Sequence, residues 1–60
     1  MLNLRDRLLS LLNEEGTAQK FIARKTGINE GYLSRFKNGQ VELGVTDSRE
    51  LDRFLESRGY

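Results

Sequence analysis

Cysteine and histidine are absent from the sixty residues, and so is proline. Without thiol or imidazole the chain has neither of the staples, disulfide or Cys/His metal site, that commonly hold so small a domain together. A domain of this size buries only about 60% of the surface its unfolded chain exposes, so support from self-association or a bound partner is expected. The same absences weigh against catalysis. The serines lack a credible base, and a small helical domain leaves little room for a substrate pocket of ~300 Å3 or more. No enzymatic activity, cofactor or small-molecule ligand is expected.

Long apolar runs are missing as well. The opening Met-Leu-Asn-Leu-Arg-Asp lacks the uncharged apolar stretch of a signal peptide, and no run reaches the eighteen apolar residues of a membrane span. A soluble cytoplasmic protein with no membrane partner is expected. No linker, repeat or low-complexity stretch divides the chain, so residues 1–60 read as one domain.

The net charge of +1 is small, but its distribution is uneven. Residues 17–40 hold Lys20, Arg24, Lys25, Arg35 and Lys37 against Glu30 alone, a local balance of +4. The flanks are acidic, −1 over residues 1–16 and −2 over residues 41–60. No carboxylate lies between Glu15 and Glu30.

Leu4, Leu8, Leu11 and Leu12 follow the i, i+4, i+7, i+8 spacing of an amphipathic helix, which Gly16 can end in the left-handed conformation. Thr17 is expected to cap a second helix reaching Lys25 or Thr26, with Ala18 and Ile22 inward and Gly27 closing it. A third helix runs from Glu30 to about Asn38, with Leu33 and Phe36 on its inner face, Asn29 before it and Gly39 after it. A fourth begins near Asp47, where Asp47 and Glu50 form a capping-box pattern; Leu51, Phe54 and Leu55 make its stripe and Gly59 its end. That capping role accounts for the Asp47–Glu50 pair without a metal, since no third ligand is apparent. Between the third and fourth helices, Val41 to Val45 alternates apolar and polar residues. We read this as an extended loop whose Val and Leu plug the core, with an edge strand pairing to a second copy as the alternative.

One spacing pattern joins the second and third helices: Ile22, Ala23, Gly27, Ile28, Leu33, Phe36. Ala23 is small where helices cross closely, Gly27 suits a tight turn, and the larger side chains fill the angle between the helices. The pattern describes a helix-turn-helix over residues 17–39. At these residues the stretch AQKFIARKTGINEGYLSRFKNG resembles the core of the phage-repressor and Cro proteins, the lambda-repressor-like or XRE family. The likeness lies in the Gln opening helix 2, the Ala and Gly spaced four apart, and the Ser-Arg-Phe segment leading to Asn-Gly. It implies a five-helix all-α domain that docks helix 3 in the DNA major groove as a dimer, and for this chain an all-α lambda-repressor-like domain of four to five helices is expected. It further implies that Gln19 anchors the start of helix 2 on backbone and base edges, that Asn29, Glu30, Gly31 and Arg35 face bases, and that Lys20, Lys37 and Asn38 meet phosphates. Two features depart from the family pattern: one helix is missing at the C-terminal end, and Phe21 stands where a polar residue is more usual.

The side-chain chemistry suits those places. Arg35 can pair with guanine, Asn29 with adenine, and Glu30 can accept from the cytosine amino group. Gly31 costs about 1 kcal/mol in a helix relative to alanine, and its lack of a side chain lets the helix start approach bases or phosphates closely. Asn29 serves equally as a cap, Tyr32 divides between core and phosphate donor, and Ser34 is either a phosphate contact or ordinary surface. Lys20 and Arg24 are like charges at i, i+4, an unfavourable arrangement that a phosphate would relieve. Phe21, Val41, Leu43 and Val45, with Leu2 and Leu9 beside the main stripe, are candidate core or partner-contact residues.

The expected function is sequence-specific binding of double-stranded DNA, at a palindromic operator and as a homodimer, in a transcriptional repressor or regulator of mobile-element type. Two rivals stand beside it: an antitoxin-like or anti-activator module that binds protein through its apolar residues, and an architectural or recombination-directionality factor that bends DNA.

Overall fold

Local capping chemistry accounts for most helix limits in the computed structural model, which describes residues 2–60 and leaves Met1 outside. Helix α1 (Leu4–Glu15) starts at Asn3, whose side chain accepts the Asp6 N–H at 2.8 Å, and stops at Gly16, φ 65°. Helices α2 (Gln19–Thr26) and α3 (Glu30–Lys37) are joined through Gly27, whose φ of 77° is the left-handed value a bulkier residue resists. Helix α4 (Val45–Ser57) follows. The domain is all-α, with four helices and no strand among the described residues.

Three boundaries differ from the sequence expectation. Thr17 does not cap α2: Ala18 holds that place with extended backbone, and its carbonyl accepts from the Phe21 and Ile22 N–H groups at 3.0 and 3.3 Å. Ala18 is accordingly exposed rather than inward, and no side chain caps the start of α2. Asn38 is the C-cap of α3 rather than its last turn. Asp47 does not open α4 either, because Gly44 enters in extended conformation and its carbonyl already accepts the Ser48 N–H at 2.9 Å. Asp47 therefore sits inside the first turn, where the helix dipole still favours its charge, and Glu50 turns to Arg53 at 3.7 Å instead of completing a capping box.

The core is built from Leu8 and Leu11 of α1, Ile22 and Ala23 of α2, Ile28 of the turn, Leu33 and Phe36 of α3, and Leu51 and Leu55 of α4. Six of these leucine and isoleucine side chains are fully enclosed. Thr26 is the buried polar residue of α2; its hydroxyl donates to the Ile22 carbonyl at 2.8 Å and accepts from the Ile28 N–H at 3.4 Å, which steadies the turn. Residues 41–44 form a loop, with Val41 and Leu43 packed on the core and the intervening Glu42 outside. Val45 is the exception among the expected plugs. It opens α4 and is 74% exposed.

The last helix is tied back to the first. Arg7 donates to Asp52 at 2.6 Å and to the Tyr60 carbonyl at 2.7 Å, while the Tyr60 hydroxyl donates to Glu14 at 3.0 Å. Desolvation of the Tyr60 phenol, this hydrogen bond, and the charges of Glu14 and Glu15 hold its pKa above the ordinary value.

Candidate nucleic-acid interface

Helix α3 turns Leu33 and Phe36 into the core, so Gly31, Ser34, Arg35 and Asn38, spaced i, i+3, i+4 and i+7, form the row on its opposite side. Gly31, Arg35 and Asn38 are exposed and Ser34 is half-buried. Sequence reasoning had placed Ser34 and Asn38 with phosphate contacts; the fold aligns them with the expected base-facing Gly31 and Arg35. Glu30 and Lys37 border this row on one side and Tyr32 on the other. Gln19 joins the two helices of the motif, its side-chain amide 3.5 Å from the Glu30 carbonyl.

Asn29 acts as the cap of α3: its side-chain oxygen accepts the Tyr32 N–H at 3.1 Å, and the residue is exposed. That oxygen also lies 3.2 Å from where a Cβ on Gly31 would stand. The glycine thus has a local reason, room for the cap, beside the functional one. The two are separable. In Gly31→Ala the helix-propensity gain of about 1 kcal/mol and the disturbance of a cap worth a similar amount nearly offset, so stability should stay within ~0.5 kcal/mol of the parent. Duplex affinity should nonetheless fall if the helix start approaches DNA. Urea titration and a binding isotherm on the same variant check both halves.

Tyr32 has two expected roles, core and phosphate donor, and its hydroxyl is engaged within the fold. Its hydroxyl donates to the Glu42 carbonyl at 2.6 Å, and a phenol has only one proton to give. Phe21 is likewise engaged: its ring meets Phe54 of α4 edge-on at 6.3 Å, with Arg58 and Lys25 each 5.5 Å from its centroid. It closes α2 on α4, which removes it from the free apolar surface. Val45 and Leu2, 74% and 58% exposed, remain there.

The electrostatic pattern is sharper than in the sequence. The ion pairs among the described residues are Arg5–Glu42, Arg7–Asp52, Arg53–Glu50 and Arg58–Glu15. All use arginines from outside the central segment. None involves Lys20, Arg24, Lys25, Arg35 or Lys37, although Lys25 leans on Phe21. Lys20, Arg24 and Arg35 are exposed, so α2 and α3 together present uncompensated positive charge beside the row on α3.

Arg5 is the participant that sequence reasoning missed. It binds the exit of α3 from α1, across 31 residues of chain, and no local spacing signals a contact of that range. Among the described residues no group of His, Cys, Asp or Glu is arranged to hold a metal, and no helix is long and apolar enough to cross a membrane. No family model, characterised protein or solved structure matches the chain.

Proposed function

We propose that this protein binds specific sequences in double-stranded DNA, laying α3 in the major groove with α2 across the backbone, and that it regulates transcription by occupying its site. The observation that carries this reading is the segregation of ion pairs: among the described residues four of the five flanking arginines, Arg5, Arg7, Arg53 and Arg58 but not Arg49, meet carboxylates, while none of the five central cations does, which leaves them for an external anion. A row of Gly31, Ser34, Arg35 and Asn38 beside that charge supplies groups able to read base edges. The likeness of residues 17–40 to phage-repressor and Cro proteins points the same way, and a cytoplasmic location follows from the reading. No catalytic role is proposed.

Binding as a homodimer follows from energy. Two or three base-reading side chains at ~1–3 kcal/mol each barely span the ~4–10 kcal/mol between specific and non-specific binding, and two copies exceed it. The operator is then a palindrome with half-sites ~34 Å apart.

Salt tests the proposal. With about four phosphates neutralised per copy, log affinity should fall with log salt at a slope of about −3.6 per copy, roughly a hundredfold loss between 50 and 200 mM. Absence of duplex binding in dilute buffer would overturn the reading. The exposed Val45, next to the half-buried Val41 and Leu43, favours a second reading, a protein-binding module; its affinity for a partner would be nearly indifferent to salt.

A further inference from the structure

Arg5 reaches α3 at its last turn. Its Nε donates to the Phe36 carbonyl at 2.6 Å, and its Nη2 donates to the Val41 carbonyl at 3.2 Å and to Glu42 Oε2 at 3.0 Å. The guanidinium also lies over the Phe36 ring, 4.6 Å from the centroid. The Glu42 side chain is 82% exposed, so the ion pair itself contributes little; the charged bonds to main-chain carbonyls are the stronger part.

The loop that Arg5 holds returns to the other end of the same helix, because the Glu42 carbonyl accepts the Tyr32 hydroxyl at 2.6 Å. One side chain of α1 and one loop residue therefore clamp both the first and the last turn of α3. A helix of eight residues has little rigidity of its own, so its pitch on the core depends on such outside ties. Arg35 directly precedes Phe36, and any swing of that last turn displaces its guanidinium from a base edge.

We propose that Arg5, working through Glu42 and Tyr32, is a positioning residue that sets the angle of α3 on DNA and hence the discrimination between sequences, without itself touching the duplex. This rests on the DNA-binding reading. Loss of the clamp leaves Lys20, Arg24 and Lys37 in place, so general attraction to the polyanion survives while selectivity declines.

The test uses Arg5→Met, which keeps an apolar stem against Phe36 and removes the donors, with Arg5→Lys as a partial rescue that retains charge without the guanidinium fork. Tyr32→Phe, which opens only the loop tie, guards against a folding defect at Arg5. Affinities for a site selected from a random duplex pool and for an unrelated duplex are measured at one salt concentration. Arg5→Met should lower the ratio of the two affinities by about tenfold, and Tyr32→Phe by about threefold, with affinity for the unrelated duplex changed less than ~threefold. In the free protein, amide exchange should accelerate at Asn38, Gly39 and Gln40 in Arg5→Met but not at Leu11 or Leu55. An equal loss on both duplexes, or faster exchange throughout the chain, would overturn the proposal and make Arg5 a phosphate contact or a general stabiliser. Parent protein that selects no site from the pool would sink the DNA-binding reading itself, an outcome distinct from failure of the clamp alone.

Discussion

Replacing Arg35 with alanine should weaken binding to the selected duplex by ~1–3 kcal/mol per copy, roughly five- to 150-fold, and flatten the preference at one base position per half-site. The size follows from what the side chain lacks. Arg35 is exposed, and its neighbours along α3 are Gly31, Tyr32, Asn38 and Gly39, none of them acidic. No carboxylate from another element reaches it among the described residues. Its backbone is set by the Gln40 N–H bonding to its carbonyl at 2.8 Å, so the guanidinium extends from a fixed root. Lys20→Ala is the matching control. Under the proposed function the exposed Lys20 meets a phosphate, so its loss should weaken all duplexes alike and reduce the salt slope by about 1. Competition binding against a set of single-base variants distinguishes the two patterns, and an unchanged preference in Arg35→Ala would mean that α3 presents a different face.

Leu33→Ala should be the most damaging substitution for stability, and through it for the site. Leu33 is fully enclosed in the core, directly behind Ser34 and Arg35. Truncating such a leucine costs ~2–5 kcal/mol through lost burial and the cavity left behind. Sixty residues support a net stability of only ~3–9 kcal/mol, so the variant should lose a large share of it. A thermal midpoint at least ~10 °C below the parent, followed by circular dichroism, is the expected result. A shift of a degree or two would mean that the helix packs less tightly than its burial implies. Binding should be measured well below the midpoint, where a surviving preference would show that the row on α3 outlasts loosening of the core.

The helices were legible because their signals are short-ranged. The leucines of α1 recur at helical spacing, and Gly16 and Gly27 take the left-handed conformation where each helix stops. Entry points were less legible. Thr17 and Asp47 are good capping types, yet Ala18 and Gly44 hold the caps, since the place where backbone turns extended depends on how the preceding segment arrives. Phe21 and Tyr32 each carried two readings in the sequence, packing within the fold or contact with a partner or phosphate; both are engaged by residues that only folding brings near, Phe54 of α4 and Glu42 of the loop.

By itself the sequence determined which segments are helical, most of the apolar residues that face inward, Ala18 and Val45 excepted, and that positive charge concentrates between Gln19 and Gln40, since periodicity and composition need no knowledge of distant contacts. The tertiary structure decided which charges are neutralised. Arg5 and Arg7 find their carboxylates 37 and 45 residues away, and Arg58 reaches back to Glu15, whereas among the described residues no carboxylate pairs with Arg35 or Lys20. An ion pair requires proximity in space to within a few ångströms, a condition that chain order cannot supply for residues on different helices.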